Sequence, residues 1–452
     1  MAGKTPMRSG ENRSERRLCL LMMAVISWTM AAWGNTSPSS IEQEETDSIQ
    51  CSTKKGVWGG MARFTPGRQL AMDQYSRQWL HGKQVYTIAA ELTHTSVPSD
   101  SDAFAADYGY PTLSLGMSYD FNHGVTMHRY PSPTWGKAQE VDYISKLGNA
   151  MTLYGSFSRP LLRTRHWEIA YTLRTGLGFN AHKYNQQDAI DNELIGSNVT
   201  IFFSAAGTLS YFFMPEWAVT AGIEYHHHSN GALDRPNKGE NTWGPTIGLV
   251  YAPAHSIILA EQRQQEHLGR IAEGKGYWYA DLSVGIGAKT LLEDWQVTQF
   301  NTAPGEPDYR TDHFKLYPAF SLSTSLMRRY ARRWASGIGA DVFYGTYYRH
   351  VRDIERSGIL KQGNSTISPW SLGIAARHEV YYHRFSLAMS LGFYLYRHMG
   401  LHAKEIEKPY YERIGLHYSF PKWNNMYVGI HVNAHHTKAD FTEFAIGIPL
   451  KK

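Results

Sequence analysis

Two cysteines in 452 residues leave this chain almost no disulfide chemistry. Cys19 lies in an apolar run close to the N-terminus, so removal of that run would leave Cys51 alone as a free thiol, with no bridge within the chain. Long hydrophobic stretches are also missing. After the first 34 residues nothing approaches the roughly 18 to 20 apolar residues that a spanning helix requires, which excludes a helical membrane protein. Charge of one sign is scarce as well: the net charge is +5 and no basic stripe is concentrated anywhere, so nucleic acid is not an expected partner. What the chain does have is aromatic residues and glycine, with 29 Tyr, 13 Trp and 40 Gly, the composition of membrane β-strands bordered by aromatic girdles.

The N-terminus carries Arg13, Arg16 and Arg17, then an apolar run from Leu18 to Trp33, then the small residues Ala31, Ala32 and Gly34. That order predicts a cleaved secretory signal peptide over residues 1–34 and export from the cytoplasm. Residues 35–83, with Gln43-Glu44-Glu45-Thr46-Asp47, read as an irregular periplasmic leader. From residue 84 to 452 one antiparallel transmembrane β-barrel of the outer membrane accounts for the length, so no second domain is required.

The barrel reading rests on alternation. In Phe385–Tyr396 the residues Phe385, Leu387, Met389, Leu391, Phe393 and Leu395 take one face, and Ser386, Ala388, Ser390, Gly392, Tyr394 and Tyr396 the other. Pro111–Phe121, Trp167–Phe179, Met426–Ala434 and Phe444–Leu450 divide in the same way. Tight turns at Pro160–Arg165, Met214–Glu216, Tyr381–Arg384 and Phe420–Trp423 alternate with long polar loops, as short periplasmic turns and long outer loops do. About 14 strands follow from Pro111 onward, and Gln84–Thr95 with one strand before it raises the number to 16. Ala254–Lys275 breaks the rule, being a helix-like polar excursion on the short-turn side.

Chemistry concentrates at His227-His228-Ser229-Asn230-Gly231. In strand Trp217–Ser229, Trp217, Val219, Ala221, Ile223 and Tyr225 share the lipid-facing side with His227 and Ser229, while Glu224, His226 and His228 face the lumen. A histidine and a serine at i and i+2 on a lipid-facing wall are costly to leave idle, by roughly 1 to 3 kcal/mol per unpaired polar group. The same parity in the next strand puts Asn241 on that wall beside Trp243, Ile247 and Leu249, and turns Glu240 away. An ester hydrolase needs a nucleophile, a base, a group that orients the base, and donors for the oxyanion. Ser229, His227, Asn241 and Asn237, in that order, are the candidates. Three histidines in a row can also be interfacial polar residues; with His227 on the opposite face to His226 and His228, all three cannot join one metal site. The pair His435–His436 reads as a solvated loop feature.

At these residues the chain resembles the outer-membrane lipid A 3-O-deacylase and acyloxyacyl hydrolase-like family, which carries a His-x-Ser-Asn core, then Pro-Asn, then a helper residue. Here these are His227, Ser229, Asn230, Pro236, Asn237 and Asn241, with Asn241 where better-known members have Glu. Tyr108-Gly109-Tyr110-Pro111 and Lys438-Ala439-Asp440-Phe441 are further echoes. The resemblance implies deacylation of lipid A with no cofactor and no metal. A second family, the outer-membrane phospholipases A, is similar at the same spot, and implies a phospholipid substrate, calcium near Asp234 and a homodimer. A porin or transporter that uses a polar lumen with Arg174, Glu224 and Asp341 is the non-enzymatic alternative.

Overall fold

In the computed structural model the described residues are 56–265, 276–360, 366–436 and 438–451, so the expected signal peptide, both cysteines and the first part of the expected leader lie outside them. The alternating segments form seventeen strands. Strands β1 (Val57–Gln69), β2 (Leu80–Thr95), β3 (Thr112–Met127), β5 (Ala150–Arg163), β6 (Trp167–Asn180), β7 (Val199–Phe212), β8 (Trp217–Ser229) and β9 (Glu240–Tyr251) pair antiparallel in sequence. The cylinder closes where β9 meets β1, with Trp243 opposite Arg68 and Ile247 opposite Phe64. The two-residue β4 (Ser145–Lys146) is an annex on β3. A second cylinder follows from β10 (Tyr277–Lys289), β11 (Tyr317–Ala331), β12 (Trp334–Gly345), β13 (Ile367–Tyr382), β14 (Phe385–Met399), β15 (Tyr410–Phe420), β16 (Met426–His435) and β17 (Lys438–Lys451), which closes by pairing β17 with β10.

The all-β barrel and the upper strand count are thus found, but the sixteen barrel strands are divided between two closed barrels of eight. This resolves the exception at Ala254–Lys275 as far as Gln265, the rest of that segment lying outside the described residues. Helix α2 (Ala254–Gln265) follows β9, the last strand of one barrel, so it joins two barrels where a hairpin turn would join two strands. It packs Ala254 and Ile258 against Val97, Ala105 and Tyr110, the last two from and just beyond helix α1 (Ala103–Asp107).

The leader reading is corrected over residues 57–83, because β1, a short 3-10 turn at Ser76–Gln78 and the start of β2 lie there. β1 escapes a pattern search because its interior positions carry Arg63 and Thr65, and Gly59, Gly60, Pro66 and Gly67 dilute the alternation.

Both barrels put charge inside and apolar side chains outside. In the first, Arg63 and Arg174 converge on Glu224 at 2.8 and 2.9 Å, and Arg174 also meets Glu91 at 3.0 Å. In the second, Asp341 receives hydrogen bonds from Arg377 at 2.7 Å and from Tyr411 at 2.6 Å, while Arg413 pairs with Glu443. Buried charges persist only when paired in this way. Arg174, Glu224 and Asp341, the residues a polar lumen would use, are therefore fully engaged and no more than 3% exposed. The outer faces carry Leu115, Ile223, Ile247, Ile286 and Ile338, all exposed, with aromatic pairs such as Trp217–Tyr251 and Tyr344–Trp370 toward the rims. No helix of the described residues is long and apolar enough to cross a membrane.

One parity shifts. A bulge pairs Leu372 with Tyr396 but Gly373 with Tyr394, so the alternation of β14 slips at Leu395, and Arg397 turns inward.

Candidate active site

Strand β8 ends at the loop end of the first barrel, and its pleat decides the site. His226 and His228 are buried inside, where His228 Nε2 meets Thr152 Oγ1 at 3.0 Å and Nδ1 lies 3.6 Å from Glu240. His227 and Ser229 are half-buried on the opposite face. His227 stands between Phe203 of β7 and Asn241 of β9, and Ser229 opposite Ile201. Two residues along one face of a strand separate the Cα atoms of His227 and Ser229 by about 7 Å.

Asn241 Oδ1 accepts a hydrogen bond from His227 Nδ1 at 2.7 Å. The amide cannot rotate freely, because its Nδ2 donates to the Gly239 carbonyl at 3.0 Å, which leaves Oδ1 toward the ring. With Nδ1 carrying the proton, Nε2 is left as the acceptor a base requires. Behind this pair, Gln69 Oε1 receives the Asn241 backbone N–H at 3.2 Å, and the Leu70 N–H donates to the Asn241 carbonyl at 2.7 Å. The strand that was expected to be leader thus buttresses the helper residue. Glu240, by contrast, is buried inside the barrel, as its parity demands.

Tyr225, two residues before His227 on the same face, was not among the expected site residues. Its hydroxyl donates to the same Asn241 Oδ1 at 2.6 Å. Shared parity with His227 was the available signal. Gly239 is the second such residue. It has φ +78°, and a Cβ there would come within 2.8 Å of His227 Cε1, so only glycine lets the loop lie against the imidazole edge.

Asn237 sits in the loop between β8 and β9. Its Oδ1 accepts the backbone N–H of Asn230, the residue after Ser229, at 3.0 Å. That bond ties the Asn237 amide to the turn after Ser229 through its oxygen and leaves Nδ2 as its donor group. Asn230 Nδ2 in turn donates to the Asp234 carbonyl at 3.1 Å. Asp234 accepts the Arg235 N–H and lies 3.8 Å from Lys183 Nζ. Burial raises the Asp234 pKa. A lone carboxylate beside an ammonium is a poor start for a calcium site, which takes 6 to 8 oxygens.

The one cluster of three buried metal-type ligands among the described residues is elsewhere, at Glu407, His435 and Asp440 of the second barrel. Lys289 and Arg397 already occupy its carboxylates. His435 is therefore not a solvated loop residue: it faces the barrel interior, where Tyr394 OH meets its Nε2 at 2.8 Å, and only His436 is exposed.

A comparison with curated proteins finds no match. Among solved structures the chain is similar to a copper transporter, OprC (9% identity over 87% of this chain and 72% of that one, TM-score 0.21), and to the COG4313 outer membrane channel from Pseudomonas putida F1 (9% identity, 90% and 100%, TM-score 0.18). Two family models match. The one described as lipid A 3-O-deacylase (PagL) covers residues 110–250, within the first barrel, and the one described as acyloxyacyl hydrolase, C-terminal domain, covers 278–452, the second. Together they take in most of the chain, which belongs to the lipid A 3-O-deacylase and acyloxyacyl hydrolase-like family of outer-membrane β-barrels.

Proposed function

We propose that the chain is an ester hydrolase that removes an acyl chain from lipid A in the outer leaflet, with Ser229 as nucleophile and His227 as general base. The observation that carries this reading is the 2.7 Å bond from His227 Nδ1 to Asn241 Oδ1 on the lipid-facing wall of the first barrel. Such a bond holds an imidazole in the tautomer that accepts a serine proton. Family membership supplies the substrate class.

The Ser229 hydroxyl adds to the ester carbonyl while His227 Nε2 takes its proton. Negative charge that develops on the carbonyl oxygen meets the Asn237 amide. The sugar hydroxyl leaves with the proton from His227, and the acyl group stays on Ser229. Water then repeats the sequence, releasing the fatty acid and restoring the serine. Asn241 is neutral, so it orients the imidazolium without the full charge stabilisation a carboxylate would give. Lipids reach Ser229 sideways from the membrane, with no passage through either barrel.

Mass spectrometry of lipid A from cells with the protein, without it, and with Ser229→Ala tests the reading. The expected result is one acyl chain fewer only in the first. Deacylated lipid A in the Ser229→Ala cells overturns it.

A further inference from the structure

The loop that joins Ser229 to Asn241 is held by the other barrel. On the serine side, Thr442 Oγ1 of β17 donates to the Gly231 carbonyl at 2.9 Å. The Ala232 carbonyl accepts both the N–H and the hydroxyl of Thr290, just past β10, at 2.8 and 3.0 Å. Arg235 Nη2 returns a bond to the Thr290 carbonyl at 2.9 Å. Gly231 has φ +61°, and any Cβ there would collide with the Thr442 hydroxyl.

The helper side is held through an intermediate loop. The N–H groups of Lys238 and Gly239 donate to the Glu193 and Leu194 carbonyls at 3.1 and 3.0 Å. That segment is gripped by Arg310 of the β10–β11 loop, which donates to Asp191 Oδ1 at 2.6 Å and to the Ile190 carbonyl at 2.9 Å. Gly239, at the end of this chain of contacts, touches the His227 ring and fixes the Asn241 amide.

From these contacts we infer that the second barrel is a positioning device for the hydrolase site, with Thr290, Thr442 and Arg310 as its positioning residues. The inference rests on the proposed role of Ser229. Simple docking of two barrels does not require these bonds, because the barrels also meet at their opposite ends. There Tyr108 OH donates to the Tyr381 carbonyl at 2.9 Å, and Arg332 pairs with Asp107 at 3.1 Å. Bonds at the loop end fall instead on the backbone carbonyls that follow the nucleophile and on the segment that carries Gly239. A ten-residue connection anchored at only its own strand ends would sample many conformations, and small displacements of reacting groups cost large factors in rate.

The test uses the full-length protein in detergent, with the rate of fluorophosphonate labelling of Ser229 and turnover on lipid A as paired readouts. Heat-modifiable migration in gels reports the folded barrels. Thr290→Val with Thr442→Val keeps the volume and removes both hydroxyl donors. It is expected to lower labelling and kcat about tenfold, with KM nearly unchanged and the barrels folded. Thr442→Ser, which keeps the hydroxyl, restores most of the Thr442 contribution, whereas a purely space-filling role would be rescued by Val. Arg310→Lys tests the other side of the loop in the same direction. Arg332→Ala, at the opposite end, leaves both rates unchanged. Parent labelling rates in both the double variant and Arg310→Lys overturn the inference, and so does an equal loss in Arg332→Ala. Failure of the Ser229 reading shows separately, as labelling of the parent that Ser229→Ala does not remove; the inference then falls with it.

Discussion

The two barrels have the same strand number and the same kind of interior, yet only one carries a candidate active site. In each, the last two strands form the hairpin to compare. In the first barrel that hairpin is β8–β9, whose outward row ends in Tyr225, His227 and Ser229 before a long loop. In the second it is β16–β17, whose outward row ends in Val432 and Ala434, and its histidines, His431 and His435, face inward. There His431 Nδ1 meets Glu443 at 3.2 Å and His435 serves Tyr394. Histidine at a strand end therefore says little by itself. The face it takes, and the length of loop beyond it, decide whether it meets lipid or closes an interior network.

The largest effect that would break this comparison comes from the outward row. Ser229→Ala and His227→Ala are each expected to reduce acyl release by about 10³-fold or more with the barrels still folded. His435→Ala, the inward counterpart, should lower the unfolding temperature while leaving acyl release near the parent rate. Deacylation lost in His435→Ala and kept in His227→Ala would reverse the two barrels' roles.

Next in size is the loop that the second hairpin lacks. Asn237→Ala should cost roughly 10²-fold in kcat, since it removes one oxyanion donor and frees the Asn230 N–H. Chelator, and calcium added back, should change the parent rate little, because Asp234 stands next to Lys183. Strict calcium dependence would instead favour the phospholipase-like mechanism.

A smaller effect separates the two faces of β9. Asn241→Ala should lower kcat by roughly 10- to 100-fold through loss of the oriented imidazole, and Tyr225→Phe a few-fold. Glu240→Ala should leave turnover nearly intact and act on stability, which kinetics and thermal unfolding measured on the same samples will distinguish.

The smallest concerns Asp73, in the loop between β1 and β2. Burial would raise its pKa, but Lys238, 2.7 Å away, overrides that and holds the carboxyl at about 2. The folded value lies below the ordinary 3.8, so this pair stabilises the protein above that pH and its contribution fades as pH falls toward 2. Asp73→Asn should therefore cost about 1 kcal/mol at neutral pH and progressively less as the pH falls from 3.8 through 2, as measured by denaturant midpoints.

Strand alternation, the parity of His227, Ser229 and Asn241, and the inward turn of Glu240 were all legible in the sequence, because a period of two is a local property. Closure was not. The pairing of β9 with β1 joins residues 173 or more positions apart, such as Gln69 with Thr242, and no local pattern announces it. β1 itself was hidden by Arg63, which is buried beside Glu224. An arginine looks wrong for a strand until the strand is seen to line a charged interior. Tyr225 was visible on the correct face but had no partner to name until the Asn241 amide was oriented. The contacts of Thr290, Thr442 and Arg310 with the loops are long-range and carry no motif.

Helix α2 also bears on assembly. Antiparallel strands adjacent in sequence pair by default, and β9 and β10 would prolong one sheet toward a single wide cylinder if a tight turn joined them. The helix removes that option: Ile258 is fully buried against the base of the first barrel, and His255 stacks on Phe212 at 3.5 Å. With its exit fastened beneath its own barrel, β9 has β1 as its remaining edge, and β10 is left to find β17. A helix of twelve residues thus stands between the strand that closes one eight-stranded cylinder and the strand that opens the next.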